Sequence, residues 1–219
     1  MNTEHQTQLI AIVGGSGSGK TWLAEHLKSR LGAQAALLSL DDFYFDLSKL
    51  PPEAREQINF DHPQTIDWPL FERVLDDCLS GRATGIPQYD FTTHTRLPQI
   101  ELFRPAPVVL VEGLWLLHPP KLRDWFDLKI FLDSPEALRL KRRLVRDVTG
   151  RGRTPYSVRK QFEETVAPMH GRYVAPQAKY ADIVLRHEPA ERDLHELAGI
   201  VQAIALESAE ADRQKVVYL

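Results

Sequence analysis

Leu9-Ile10-Ala11-Ile12-Val13-Gly14-Gly15-Ser16-Gly17-Ser18-Gly19-Lys20-Thr21 is an apolar run that passes without a break into a glycine-rich turn. Gly14, Gly19, Lys20 and Thr21 occupy the fixed positions of the G-x-x-x-x-G-K-[ST] phosphate loop. The glycines at 14, 15, 17 and 19 let the backbone curl so that successive N–H groups face one polyphosphate, with Ser16 and Ser18 between them. A helix starting near Lys20 adds the positive end of its dipole. Lys20 is then placed to reach β- and γ-phosphates, and the Thr21 hydroxyl to ligate Mg²⁺. The flanks agree: a buried-strand pattern precedes the loop, and Trp22-Leu23…Leu27…Leu31 follows it with helical spacing. A glycine-rich turn with an incidental lysine is the bland alternative, and it does not explain the strand before and the helix after. The pattern therefore implies nucleoside triphosphate binding in an α/β fold, a parallel sheet flanked by helices.

Length and composition narrow the field. The 219 residues suit one domain over the whole chain, 1–219. A net charge of −3 gives no reason to expect nucleic acid as a partner. The single cysteine, Cys78, excludes an internal disulfide and a cysteine-based metal cluster, and fits a reducing, cytoplasmic setting. No apolar run is long enough to span a bilayer, and the polar start Met1–Gln6 does not read as a signal peptide, so no membrane association is expected.

Downstream of the loop, Ala35–Leu40 reads as the next buried strand and ends in Asp41-Asp42-Phe43-Tyr44. Ligands of open α/β sheets sit at the carboxyl ends of the strands, which sets these acids beside the phosphate loop. There an aspartate could orient Mg²⁺, accept a proton from an attacking hydroxyl, or simply cap a turn. Trp68–Leu79 has a helical pattern that Gly81 stops. Residues 82–107 break the strand–helix rhythm and read as an inserted hairpin, with Tyr89 and Phe91 on one face. Its aromatics, with His94 and Arg96, suit a flat ligand with polar edges, or a small flap packed on itself. Val108–Val111 leads into Glu112-Gly113, the Walker B arrangement of a carboxylate after an apolar strand. Leu128–Leu132 is a further strand, after which Asp133-Ser134-Pro135 is expected to cap a helix. That helix sets Arg139, Arg143 and Arg146 on one face and runs into a glycine-spaced loop, 147–156, holding Arg151 and Arg153. Such arginines can close over a transferring phosphoryl group as a lid or remain a solvated basic face, and the chain's net negative charge favours the lid. Helices over 157–173 and 191–210 and a strand over 180–185 complete the reading. The apolar end Val216–Leu219 is expected to dock on the core or a neighbouring subunit.

In order and spacing, these pieces resemble the uridine kinase (uridine–cytidine kinase) family of P-loop kinases. The resemblance runs from about Leu9 to Leu185. It rests on Gly14–Thr21, Asp41-Asp42-Phe43-Tyr44, Asn59-Phe60-Asp61-His62-Pro63, Tyr89-Asp90-Phe91 with His94 and Arg96, Glu112-Gly113, Arg142-Arg143…Arg146-Asp147 with Arg151-Gly152-Arg153, and Lys179–Ile183. It implies transfer of phosphate from ATP or GTP, with Mg²⁺, to the 5′-hydroxyl of uridine or cytidine, a pyrimidine salvage step. It implies Asp41 as the catalytic base, Lys20, Arg146 and Arg151 on the phosphates, and Thr21, Glu112 and Asp41 around the metal. It implies Asp61 and Arg143 on the ribose hydroxyls with Gln161 beside them, and Phe60, Tyr89, Phe91, His94 and Arg153 around the nucleoside. It further implies a homo-oligomer, a tetramer. One departure is Asp42, where the family usually has serine. A related kinase acting on another small alcohol, such as a sugar phosphate or pantothenate, is the alternative. A nucleotide-regulated switch is a third reading, weakened because no Asn-Lys-x-Asp guanine-reading motif is present.

Overall fold

The computed structural model describes residues 7–186 and 188–215. In chain order the strands are β1 (Gln8–Gly14), β2 (Ala35–Ser39), β3 (Thr84–Asp90), β4 (Thr95–Phe103), β5 (Val108–Gly113), β6 (Leu128–Leu132) and β7 (Ile183–Leu185). The helices are α1 (Lys20–Leu31), α2 (Pro52–Glu56), α3 (Trp68–Leu79), α4 (Pro120–Arg123), α5 (Glu136–Arg151), α6 (Pro155–Gln161), α7 (Ala167–Met169) and α8 (Glu191–Lys215). Five strands form one sheet in the order β2-β5-β1-β6-β7, every neighbouring pair parallel. The first strand is therefore central, as its uninterrupted apolar run demands. Alternate side chains feed opposite faces. Leu9, Ala11 and Val13 join the layer containing α3, while Ile10 and Ile12 join the layer containing α1 and α8.

Register decides what stands at the carboxyl edge. Ile12 of β1 and Ser39 of β2 both lie opposite Glu112 of β5, so the phosphate loop, Ser39 and Glu112 emerge side by side. β3 and β4 pair antiparallel as a separate two-stranded unit with an irregularity between Pro87 and Tyr89. This is the hairpin expected over 82–107.

Several local expectations need correction. Helix α5 continues through Gly150 to Arg151, where a loop from Asp147 was expected. It ends at Gly152, whose φ of 64° supplies the left-handed turn that closes a helix, leaving 152–154 as the connection to α6. No side chain caps α5; Ser134 Oγ instead donates to the Ser18 carbonyl of the phosphate loop at 3.0 Å. The helical stretch expected over 157–173 is interrupted by π turns at Phe162–Val166 and His170–Val174. Pro168 between them has no N–H for the preceding turn, which favours a widened one. The last strand is only Ile183–Leu185, and the closing helix runs on to Lys215. Val216–Leu219 lies outside the described residues. Among the described residues, no helix is long and apolar enough to cross a membrane.

Candidate active site

The phosphate loop joins β1 to α1 with Gly19 at φ +100°, a conformation open to glycine and strained for other residues. Lys20 opens α1, is buried, and donates from Nζ to the Gly15 carbonyl at 3.3 Å. Burial pulls its pKa below the usual lysine value while Glu112 and Asp41 pull it back up. Thr21 Oγ1 donates to Glu112 Oε1 at 3.3 Å, and Ser39 Oγ donates to the same oxygen at 2.8 Å. Burial raises Glu112 against the attraction of Lys20. Hydroxyl and carboxylate oxygens form a hard donor set suited to Mg²⁺. Among the described residues, no group of three or more His, Cys, Asp or Glu could hold a metal by itself. A divalent ion at Thr21 and Glu112 would need further oxygens from phosphate and water.

Beside the loop opens a cavity of about 450 Å³. It brings together residues distant in the chain: Ser16, Asp41, Phe60, Asp61, Tyr89, Phe91, His94, Arg143, Arg146, Arg151, Arg153 and Gln161 all line it. Asp41 sits on the 3₁₀ turn Leu40–Phe43 after β2, with its N–H bonded to Ser39 Oγ at 3.3 Å. Asp42, next to it, does not line the cavity. It faces the hairpin and accepts the backbone N–H of Tyr89 at the β3 irregularity. Burial, with Asp41 and Glu101 adding to it, pushes Asp42 up to about 6 against that hydrogen bond. An unfolded chain holds an aspartate near 3.8, so the fold loses stability as pH rises from there through about 6. At pH 7 the charge costs about 1–2 kcal/mol after allowance for its partial exposure. Asp42→Asn keeps an acceptor for Tyr89 and is expected to raise the melting temperature at pH 8, with the gain shrinking through pH 5 and vanishing below about pH 4. Equal gains at the two ends of that range would contradict this.

The far wall is aromatic. Phe60 stacks on His94 at 4.1 Å between ring centres, and Tyr89 lies 5.2 Å from Tyr44 and 5.3 Å from Phe91. His94 holds the hairpin turn with φ 55°, where a left-handed residue is required. Arg96, read from sequence as a ligand-facing group, points elsewhere. Its guanidinium donates to the Tyr44 carbonyl at 2.8 Å, the Phe43 carbonyl at 3.3 Å and Asp67 Oδ2 at 3.2 Å. Asp67 also caps α3 through Leu70 N–H. Arg96 thus ties the hairpin to the turn carrying Asp41.

The opposite wall is cationic. Arg143 Nη1 donates to Ser16 Oγ at 2.7 Å and its Nη2 to Gln161 Oε1 at 3.0 Å; Arg153 also donates to that oxygen. Arg151 lies 4.7 Å from the Phe91 ring, so the end of α5 meets the hairpin over the cavity. Asp147, fully buried, gathers three of these groups: Arg146 at 2.7 Å, with Arg143 and Arg151 at 3.6 Å. Burial raises its pKa, but the three guanidinium groups outweigh that and hold it below the usual range. Asp61 is the reverse case: burial raises it although Arg143 opposes. The solvated basic face is excluded for Arg139 and Arg143, which are both buried.

Tyr44, Ile58, Thr92 and Leu114 also line the cavity and carried no assigned role in the sequence reading. Tyr44 had a signal, three residues after Asp41, and Leu114 follows Glu112-Gly113 directly. Ile58 and Thr92 had none. The role of Asp147 had only the hint of one acid inside an arginine run.

The family model described as Phosphoribulokinase / Uridine kinase family matches residues 9–192, which contain the loop, the hairpin and the arginine helix. The chain belongs to that family. It is therefore a member of the phosphoribulokinase/uridine kinase group of P-loop kinases, an enzyme family rather than a set of switches. A uridine kinase of Deinococcus deserti is 43% identical over 187 residues, covering 83% of this chain and 90% of the relative. A uridine kinase of Chloroflexus aurantiacus is 44% identical over 177 residues, covering 80% and 85%. The phosphoribulokinase of Rhodobacter spheroides superposes with a TM-score of 0.63 at 18% identity over 83% of this chain and 70% of that one, a likeness of fold.

Proposed function

We propose that this member of the family transfers the γ-phosphoryl group of ATP or GTP to the 5′-hydroxyl of uridine, and of cytidine, forming the nucleoside 5′-monophosphate. The observation that carries this reading is the single cavity bounded by the phosphate loop, the Asp41 turn, an aromatic hairpin and the arginine helix. The relatives named uridine kinase support the choice of acceptor.

The roles follow from chemistry and position. Asp41 accepts the proton of the attacking hydroxyl, being the carboxylate at the cavity edge nearest the loop end of β2. Lys20 and the loop N–H groups hold the β- and γ-phosphates. Arg146 and Arg151 neutralise charge on the transferring group, and Asp147 orients them. Asp61 and Arg143 receive the ribose hydroxyls, with Gln161 bridging Arg143 to Arg153. A deoxyribose would leave these buried groups short of a partner, the kind of mismatch that discriminates strongly. Tyr89, Phe91, Phe60 and His94 enclose a flat base. Mg²⁺ held at Thr21 and Glu112, with Asp41 nearby, would screen the phosphate oxygens and orient them. Closure of Arg151 onto Phe91 keeps water from competing as acceptor.

The test is nucleoside-dependent ADP formation with uridine, cytidine, their 2′-deoxy forms and other small alcohols. Turnover with the ribonucleosides and little with the deoxy forms is expected. Turnover only with a sugar phosphate or pantothenate would overturn the assignment of acceptor.

A further inference from the structure

Two side chains press on the phosphate loop without lining the main cavity, the buried Arg139 and the half-buried His170. Only a glycine at position 15 allows them so close: a Cβ there would stand 2.7 Å from His170 Nδ1 and 2.9 Å from Arg139 Nη1. Arg139 is 2% exposed. Its Nε donates to the Ser134 carbonyl at 3.2 Å, and its guanidinium lies 5.7 Å from the Phe162 ring. Nη1, the atom turned toward Gly15, has no hydrogen-bond partner among the described residues. Among the described residues Arg139 makes no ion pair, and burial lowers its pKa despite the opposing pull of Glu136 and Asp133. A buried cation without an anion is costly to a fold. Its position offers a compensation: it stands directly behind Gly15, backbone of the loop that would face a polyphosphate.

We infer that Arg139 is a positioning residue for the phosphate donor, a fixed positive charge behind Gly15 that strengthens the hold of the loop on the β- and γ-phosphates. His170 completes the arrangement by filling the space beside the guanidinium with a neutral ring. Its own burial and then Arg139 depress it to about 4, with Asp133 opposing and Lys20 adding, so at pH 7 it neither cancels nor doubles the charge. An acidic side chain at 170 would cancel it. In a low-dielectric site close to the phosphates, one such charge is worth about tenfold in affinity. This inference rests on the reading that the loop binds a nucleoside triphosphate.

The test compares binding of ATP, ADP and AMP to the full chain by calorimetry, in wild type, Arg139→Met and Arg139→Lys, together with the melting temperature of each free protein. Removing an unpaired buried charge is expected to leave the melting temperature of Arg139→Met unchanged or higher. The same variant should lose about tenfold in ATP affinity, less for ADP and least for AMP. Arg139→Lys, which keeps the charge, should stay within about threefold of wild type for ATP. A folded Arg139→Met with wild-type ATP affinity would overturn the inference. So would a lower melting temperature with equal losses for all three nucleotides, which marks a structural role. If Arg139→Met does not fold, Arg139→Lys decides: retained ATP affinity supports the inference, and a tenfold loss overturns it. Failure of wild type to bind ATP would instead overturn the functional reading itself.

Discussion

Asp41→Asn lowers turnover with uridine by about 10²–10⁴-fold and leaves ATP affinity within a few-fold of wild type. The amide is isosteric and cannot take the hydroxyl proton. The backbone that presents it is independent of its charge, because Ser39 Oγ accepts the Asp41 N–H in either variant. Lys20 loses one of the two carboxylates that pull its pKa up, but Glu112 remains as the larger influence. The effect should therefore fall on kcat rather than on nucleotide binding. Steady-state kinetics with nucleotide binding measured separately would check this. A loss confined to the KM for ATP would move Asp41 from the proton to the metal. Asp42 is not the substitute base, since it is turned to the hairpin and away from the cavity.

Asp147→Asn is expected to be the most damaging substitution to the fold near the site. It leaves Arg143, which is only 5% exposed, facing Arg146 and Arg151 without the carboxylate that gathers them. Removing one member of a buried ion cluster costs about 3–5 kcal/mol, and the partial exposure of Arg146 and Arg151 points to the lower end. For a chain of this size that is a fall of about 6–12 °C in melting temperature. Turnover should fall as well, because all three of the freed arginines line the cavity. The pH dependence has a definite sign. Asp147 titrates below the usual aspartate range in the folded protein. Its contribution is therefore present above about pH 4, the unfolded value, and is lost as pH falls through the lower folded value. Wild type and variant should differ fully at pH 7 and at pH 5, then converge below pH 4. A difference that closes already at pH 6 would contradict this account. Asp42 behaves in the opposite sense, which makes the two variants useful together.

These two carboxylates also mark how far the sequence could be read. The phosphate loop, the central strand and the helices Lys20–Leu31 and Trp68–Leu79 were legible because local pattern and tertiary role coincide there. The residues expected around the substrate converge on one cavity from the turn after β2, the connection before α3, the hairpin, and the stretch from α5 into α6. What sequence did not reveal was the direction in which a polar side chain points. Asp41 and Asp42 are neighbours on one tight turn, yet one faces the cavity and the other the hairpin. Arg96 stands in the same motif as His94, yet β4 turns it inward to the backbone carbonyls of Phe43 and Tyr44. Asp147 looked like one acid in a basic helix, and its importance arises only when Arg143 and Arg151 come within 3.6 Å of it. Boundaries failed where one residue overruled composition. Gly150 did not stop the arginine helix, and Gly152 did, because only the latter takes positive φ.

The most direct measurement is coupled ADP release from Mg²⁺-ATP by wild type and Asp41→Asn, with and without uridine or cytidine. The account predicts turnover that depends on a pyrimidine ribonucleoside and collapses in the variant. Turnover by wild type that neither nucleoside stimulates would contradict it.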